Sequence, residues 1–550
     1  MSKRLHTNEN LTAEALSALR WTYLGFLTRI ACSFIAVTLL ARLLGPKPFG
    51  QVAAASLVVG LANLLADAGF SSALVQAPQL TEQRIRFAFT VQALMGGVMM
   101  IVAVLIAPFV AIAFHDPLIR NVLCVLAPLF ILQAFGQVST ALLKRKLAFQ
   151  TVQRAQIGSY VLGYFCVGLP AAYLGAGVWS LIAAQLTQSV SYSSFVYASV
   201  RHSVVPCVDR SGIPLLWFGT KVTGASLANW TIDNLDNVVI GRTFGSASLG
   251  LYSRAFNLAS SAAEGIASAC QQVLFASCSR AQGEPARLRR AYLAVVGAIA
   301  FITLPLFWSM AVCAQTVVVG LYGAKWSDAT QLFMPLALAF PIHALMSLSG
   351  PVLGATNHVE RELRTQAVAG GVAAVLFVVA AHYSVAAVAW AVLLAYAVRY
   401  WVSTTPTLQL LEIQWSDVLR VIRGPVAVAA VTASAVLAVN FVAVSHGIQT
   451  PYILAMLAVT GGLTLCLLLG LVTDWVVPEE LINPLINVSA KMPVGLSAIL
   501  RNAAARQARR RERGAAPLGS FVSCGLAGSV PAALPDREEP AVLVADRHEI

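Results

Sequence analysis

The chain has 550 residues and carries 37 Lys and Arg against 24 Asp and Glu, a formal net charge of +13, yet only 11% of it is charged and 58% is hydrophobic. A soluble domain usually carries about 25% charged residues, so this composition excludes an ordinary soluble protein and indicates an all-α polytopic membrane protein. The nine cysteines show no Cys-x-x-Cys or Cys/His spacing, so small packing residues are expected rather than ligands, and neither a metal nor a cofactor is implied.

A membrane-crossing helix needs about 20 mostly apolar residues. In chain order such stretches run at 21–41, 50–75, 87–114, 118–142, 155–174, 177–199, 214–240, 248–279, 291–319, 328–353, 366–382, 384–405, 424–445 and 451–473, which gives about 14 predicted spans. The division between the eleventh and twelfth rests on the short break His382-Tyr383-Ser384. The first span is too long for a signal-peptide core and has no Ala-x-Ala exit. Connections are short on both sides. A membrane glycosyltransferase or polymerase, expected to expose a sizeable outer loop with catalytic groups, is disfavoured. No Walker A, His-Glu-x-x-His or Gly-x-Ser-x-Gly pattern is present, and no enzyme is expected.

Charge sets the expected orientation. With the N-terminus in the cytoplasm, nineteen Lys and Arg up to residue 473 fall in inner segments, and five (Arg42, Lys47, Arg120, Arg242 and Lys325) fall in outer ones. That asymmetry follows the positive-inside rule. The net positive charge is therefore a topology signal, and no nucleic-acid partner is implied. Beyond the spans, 476–513 is a basic cytoplasmic segment ending in "ARQARRRERG", suited to anionic headgroups or to a solvated tail. Residues 514–550, rich in Gly, Pro, Ala and Ser, are expected to be disordered.

An internal repeat organises the spans. "ARLLGPKPFG" at 41–50 and "GRTFGSASLG" at 241–250 share Arg42/Arg242, Gly45/Gly245 and Gly50/Gly250. An offset of 200 residues equals six spans, and an even number preserves direction, so parallel repeats are expected. This predicts a six-helix lobe over 1–200, a second over 201–405, and two additional helices in 406–475. The repeated glycines suit tight outer reversals at positive φ.

The corresponding hairpins of the two repeats also hold the polar residues. On the second span Ser56, Asn63, Asp67 and Ser71 share a face. On the seventh Thr223, Ser226, Asn229, Asp233 and Asp236 do, and on the eighth Arg254, Asn257, Ser261, Glu264, Ser268 and Gln271. Seven ionisable groups lie on these hairpins: Arg29, Asp67, Lys221, Asp233, Asp236, Arg254 and Glu264. At roughly 3 kcal/mol for each charge facing lipid at mid-membrane, they must face one another or water. One reading is a set of interhelical ion pairs, such as Lys221 with Asp67 or Asp233. The other is a polar cavity lined by Asn63, Asp67, Asn229, Asp233, Asp236 and Asn257. Glu264 and Asp67 are candidates for proton or cation coupling, as intramembrane carboxyls often are. Arg399, in "YAVRYWVS", is expected among aromatics in a structural role.

At these residues a family resemblance appears. "LLARLLGPKPFGQVAAASLVVGLANLLADAGFSSALVQ", "DNVVIGRTFGSASLGLYSRAFNL" from Asp236, "LYGAKWSDA" at 321–329 and "LLKRKLAFQ" at 142–150 resemble bacterial polysaccharide flippases. These form a branch of the multidrug/oligosaccharidyl-lipid/polysaccharide exporter superfamily, and the likeness is to the colanic-acid and exopolysaccharide type. The resemblance covers about residues 15–475. It implies two six-helix bundles around a central cavity and transport of an undecaprenyl-diphosphate-linked oligosaccharide across the inner membrane by alternating access. The polysaccharide polymerase and export machinery are then possible partners. Arg29, Lys221 and Arg254 become candidate cations for the diphosphate, since charge-assisted bonds suit phosphate. A cation-coupled drug antiporter or a peptidoglycan-precursor flippase of the same superfamily is the alternative within transport.

With this orientation, a cysteine replacing Lys47 or Ser246 in a background lacking the nine native cysteines is expected to react with an impermeant maleimide in intact cells. One replacing Arg145 is expected not to react. Reaction at Arg145 with protection of the other two would reverse the assignment.

Overall fold

A computed structural model describes residues 25, 28–67, 74, 81–207, 213–280, 285–356 and 359–471, and every regular element among them is helical. Lys3, Arg4 and the segments 476–513 and 514–550 lie outside the described residues. Among the described residues eight helices are long and apolar enough to cross a membrane. They are accompanied by further helical stretches that complete the bundle.

The elements begin with α1 (28–43), α2 (Pro46–Asp67) and α3 (Glu82–Ala113). A bent pair, α4 (Leu118–Leu126) and α5 (Leu129–Arg145), follows, with Pro128 at the bend. Then come α6 (Phe149–Tyr160), a π-helical stretch (Val161–Gly168), α7 (Leu169–Tyr173) and α8 (Val178–Val200). The helical run α9 (Ile213–Arg280) is broken at Gly245. After it stand α10 (Pro285–Val312), the short α11 (Ala314–Tyr322), α12 (Ala329–Met346), α13 (Ser349–Ala355), α14 (Val359–Ala381), α15 (Val385–Leu410), α16 (Trp415–Ser445) and α17 (Thr450–Leu471). The stretch expected as one span at 291–319 is therefore two helices, parted at Cys313. The His382-Tyr383-Ser384 break is real. Ser384 caps α15 by accepting a hydrogen bond from the Ala387 N–H at 3.0 Å, which satisfies an otherwise orphaned donor.

Helices α2 to α8 pack among themselves, and so do α9 to α15, with α16 laid along α10 and α17 along α16. The broadest contact between the two groups is α2 against α9. The repeated motif makes that contact. Gly245 has φ 79° and ψ −177°, a region that favours glycine, and the chain folds back there. The Tyr252 hydroxyl donates to Asp236, although 16 residues of continuous helix would hold them about 24 Å apart. Gly45 departs from the expectation, because its φ is not positive. Gly50 and Gly250 serve a different purpose from a reversal. A Cβ on Gly50 would lie 1.6 Å from the Ser246 carbonyl oxygen, and one on Gly250 would lie 2.0 Å from that of Pro46. The two glycines let backbone meet backbone where the repeats face each other.

The same end is held by polar contacts between distant segments. The buried Asp116 carboxylate accepts from Gln51 Nε2 at 2.8 Å, Ser246 Oγ at 2.8 Å and the Leu118 N–H at 3.1 Å. Trp326, fully buried, donates Nε1 to the Ala41 carbonyl at 2.8 Å, and Lys325 Nζ donates to that of Leu43 at 3.3 Å. In return Arg42 donates Nε to the Leu321 carbonyl at 2.9 Å and its Nη2 to that of Gly320. These acceptors are last-turn carbonyls of α1 and α11, which lack partners within their own helices. Each helix end is thus capped by cations or an indole N–H, Arg42 from the last turn of α1 and Lys325 and Trp326 from the residues just beyond α11, as helix C-termini favour. Ser246 is 6% exposed, which corrects its expected accessibility and leaves the exposed Lys47 as the labelling position.

Two outcomes follow from this latch. Gly50→Ala or Gly250→Ala should destabilise the purified protein by roughly 1–3 kcal/mol, because backbone must retreat from the new methyl. Gly97→Ala, where nothing lies within 4 Å, should be neutral or mildly stabilising through helix propensity. Thermal unfolding of the three variants in detergent checks this.

The second concerns pH. Burial pushes the Asp116 carboxyl up, but the hydrogen bonds from Gln51, Ser246 and Leu118, with the Lys47 charge, outweigh it and hold the group below its ordinary 3.8. A lowered carboxyl pKa stabilises the fold above the unfolded value, and that stability is lost as pH falls through the folded one. The wild-type unfolding midpoint should therefore drop on acidification below about pH 4, and Asp116→Asn should be less stable at neutral pH with a flatter acid limb.

Candidate functional site

Below the latch a cavity of about 400 Å³ opens between the two helix groups. Val37 and Leu40 of α1, Phe49, Val52 and Ser56 of α2, Tyr164 of the π-helical stretch and Gln185 and Gln188 of α8 form one wall. Asp233, Asn234, Asn237, Ser253, Arg254, Phe256 and Asn257, on the two limbs of α9, form the other. Their positions follow from the reversal at Gly245, since Asp233 and Asn257 each lie twelve residues from it. Twelve residues amount to about 18 Å along a helix.

Arg254 is the distinctive group here. Its guanidinium carbon stands 4.9 Å from the centre of the Phe49 ring, a cation–π contact. Its Nε is buried without a hydrogen-bond partner, and no acidic group pairs with it among the described residues. Asp233 differs. Arg399 Nη1 donates to its Oδ1 at 3.1 Å while Nε and Nη2 donate to the Gln366 Oε1 at 2.9 and 2.6 Å. Arg399 is thus bound to polar partners, which corrects the expected aromatic setting. Asp236 is 4% exposed and takes hydrogen bonds from Tyr252, the Asn237 N–H at 2.7 Å and Asn237 Nδ2 at 3.0 Å. These fixed charges belong to the second helix group's internal framework.

A second cavity of about 370 Å³ lies within the first helix group and shares Gln185 and Gln188 with the first. Arg29 lines it with Gln133, Gln137, Gln156, Ser159, Ser189, Tyr192 and Ser193. A third, of about 520 Å³, is apolar and lies between α10, α16 and α17.

The expected site residues are accordingly divided. Asp233, Arg254 and Asn257 meet in the central cavity, and Arg29 stands in the adjoining one. Asp236 turns away into its own hydrogen bonds. Asp67 accepts from Gln92 Nε2 at 3.1 Å, and the Asn63 Oδ1 is buried with no partner among the described residues. Asn229 and Glu264 are exposed and line neither cavity. The Lys221 side chain lies outside the described residues. Sequence reasoning weighted charge and overlooked the glutamines, although Gln133/Gln137 and Gln185/Gln188 carry the four- and three-residue spacing of a shared helix face.

Comparison with known proteins agrees with this architecture. In sequence the chain is similar to the succinoglycan biosynthesis transport protein ExoT of Rhizobium meliloti, 27% identical over 335 residues, covering 60% of this chain and 65% of that one. It is also similar to the lipopolysaccharide biosynthesis protein WzxC of Escherichia coli, 20% identical over 351 residues, with 62% and 70% covered. The teichuronic acid biosynthesis protein TuaB of Bacillus subtilis is 21% identical over 347 residues, with 62% and 72% covered. In fold it resembles the lipid II flippase MurJ in an inward closed conformation, with TM-score 0.65 and 11% identity over 82% of this chain and 97% of that one. An inward-facing multidrug transporter of the MATE family gives 0.58 and 14% over 70% and 94%. Residues 39–331, more than half of the chain and including the Arg42–Gly50 motif, its repeat and the Trp326 latch, match the family described as polysaccharide biosynthesis protein, and the chain belongs to that family.

Proposed function

We propose that the protein is a flippase that carries an undecaprenyl-diphosphate-linked oligosaccharide from the cytoplasmic to the periplasmic leaflet of the bacterial inner membrane. Two lobes, 1–200 and 201–405, alternate access to the cavity between them. The observation that carries this reading is Arg254, a cation at membrane depth whose buried Nε has no hydrogen-bond partner and which forms no ion pair among the described residues, open to a polar cavity that Asp233 also lines. Such a group is costly unless an anion completes it, and phosphate oxygens do so with charge-assisted bonds. Arg29 stands along the same continuous wall, beyond Gln185 and Gln188, toward the opposite end from the latch. Lys221 of the seventh span is the third candidate cation.

The positive-inside bias supports an orientation with both termini in the cytoplasm and the latch in the periplasm. A closed latch then seals the outer side, and the lipid-linked substrate enters from the inner leaflet while its tail stays in hydrocarbon. Moving the diphosphate from Arg29 toward Arg254 requires no covalent chemistry. Opening the latch releases the unit to polymerase and export machinery outside.

In proteoliposomes, wild-type protein should move the lipid-linked oligosaccharide between leaflets and leave its glycan unchanged. Arg254→Gln should slow movement by about ten-fold or more, as expected for losing a charged hydrogen bond. Arg254→Lys should be milder, and Arg120→Gln, on an exposed residue outside both cavities, should match wild type. A lengthened or trimmed glycan would mark an enzyme, and full-rate movement by Arg254→Gln would remove the diphosphate role.

A further inference from the structure

The pocket inside the first helix group has a chemistry of its own. Gln133 and Gln137 project from one face of α5, Gln156 from α6, and Gln185 and Gln188 from α8. Five carboxamides in one membrane-depth cavity are unusual, because each carries both donor and acceptor capacity that hydrocarbon cannot satisfy. Glutamines can join transmembrane helices by bonding across them. Here, however, the side-chain amides of Gln133, Gln137, Gln185 and Gln188 make no hydrogen bond to protein among the described residues, and they line open space.

The surroundings hold that space open. Tyr192 is anchored by a hydroxyl–hydroxyl bond to Thr140 at 2.8 Å, and Ser159 donates back to the Gln156 carbonyl at 3.0 Å. The π-helical stretch lies against α8 at the same level. A Cβ on Gly163 would come within 2.5 Å of the Ala184 carbonyl oxygen and 2.8 Å of Gln188 Cβ, so the close approach that positions Gln188 requires glycine. Single π-turns are costly departures that tend to mark functional sites, and this one is two turns long. Polarity is not general to the protein's crevices, since the larger cleft between α10, α16 and α17 is apolar.

What would satisfy such a wall is a ligand presenting many neutral donors and acceptors at once. Sugar hydroxyls do this, each donating and accepting, and a carboxamide can meet two neighbouring ones. The volume, about 370 Å³, lies in the range of ligand pockets. Through Gln185 and Gln188 it adjoins the cavity holding Arg254. We propose that this pocket is a glycan subsite, in which the glutamines hold the sugars of the lipid-linked substrate while Arg254 holds its diphosphate. The subsite rests on the flippase reading, and it adds to that reading a separate determinant of which glycans are carried.

The test is equilibrium binding to purified wild type and variants in nanodiscs, with two probes. One is undecaprenyl diphosphate; the other is the oligosaccharide-bearing lipid extracted from cells blocked in polymerisation. The double variant Gln137→Leu, Gln188→Leu should bind the glycosylated lipid at least about ten-fold more weakly, the loss of one or two net hydrogen bonds, and the bare lipid as wild type does. Retained binding of the bare lipid shows that the variant is folded. Arg254→Gln should weaken both probes. Unchanged affinity of the double variant for the glycosylated lipid overturns the subsite, and so does equal loss of both probes, which would assign the glutamines to packing. If wild type binds neither probe, the flippase reading itself falls, and the subsite falls with it.

Discussion

Helix ends leave carbonyls that their own helix cannot satisfy, and here two such ends, partly exposed, satisfy each other. The last turn of α1 is met by Trp326 and Lys325, and the last turn of α11 by Arg42. The exchange joins segments about 280 residues apart in the chain and crosses from one helix group to the other. Beside it, Gly50 and Gly250 let the neighbouring backbones touch. The central cavity and the position of Arg254 lie next to that meeting point.

The polar residues sort into those that hold the structure and those left for something else. Asp233, Arg399 and Gln366 form one closed set, and Asp236, Tyr252 and Asn237 another. Only the Arg399 end of the first set is buried, since the Asp233 side chain is 56% exposed, and removing Asp233 would leave the Arg399 charge without its carboxylate. Arg254 and the glutamines of α5 and α8 face open volume. The difference between the sets is one of completion rather than polarity. The framework groups find hydrogen-bond partners within the protein, whereas Arg254 Nε and the amides of Gln133, Gln137, Gln185 and Gln188 find none among the described residues.

Much of this was legible in the sequence because membranes make strict demands. Apolar length gave most helices, and a three-residue polar break correctly separated α14 from α15. The 200-residue repeat located the contact between the helix groups. What the sequence did not convey was how the glycines act there: Gly245 reverses the chain, Gly45 has no positive φ, and Gly50 and Gly250 work by close approach. A one-dimensional pattern records where glycine occurs but not which backbone it faces. Partners across long separations were equally hidden, as with Arg42 and Leu321 or Arg399 and Asp233. The glutamines were legible in their helical spacing, but an uncharged amide costs less to bury than a charge and so marks a cavity less sharply in a sequence.

The reciprocal caps also bear on how such a protein can vary. Every acceptor in them is a main-chain carbonyl, at Ala41, Leu43, Gly320 and Leu321, and a main-chain carbonyl is supplied by any amino acid. The donors are side chains, Arg42, Lys325 and Trp326, and a replacement must also carry a side-chain donor long enough to cross that distance. Selection on the closed state therefore falls unevenly along the two segments. Acceptor positions are free to drift within the limits of packing, whereas Arg42 and Trp326 can change only if the opposing segment finds another donor. Under this rule the donors are the costly positions to change, and the residues that supply only a main-chain carbonyl are the cheap ones.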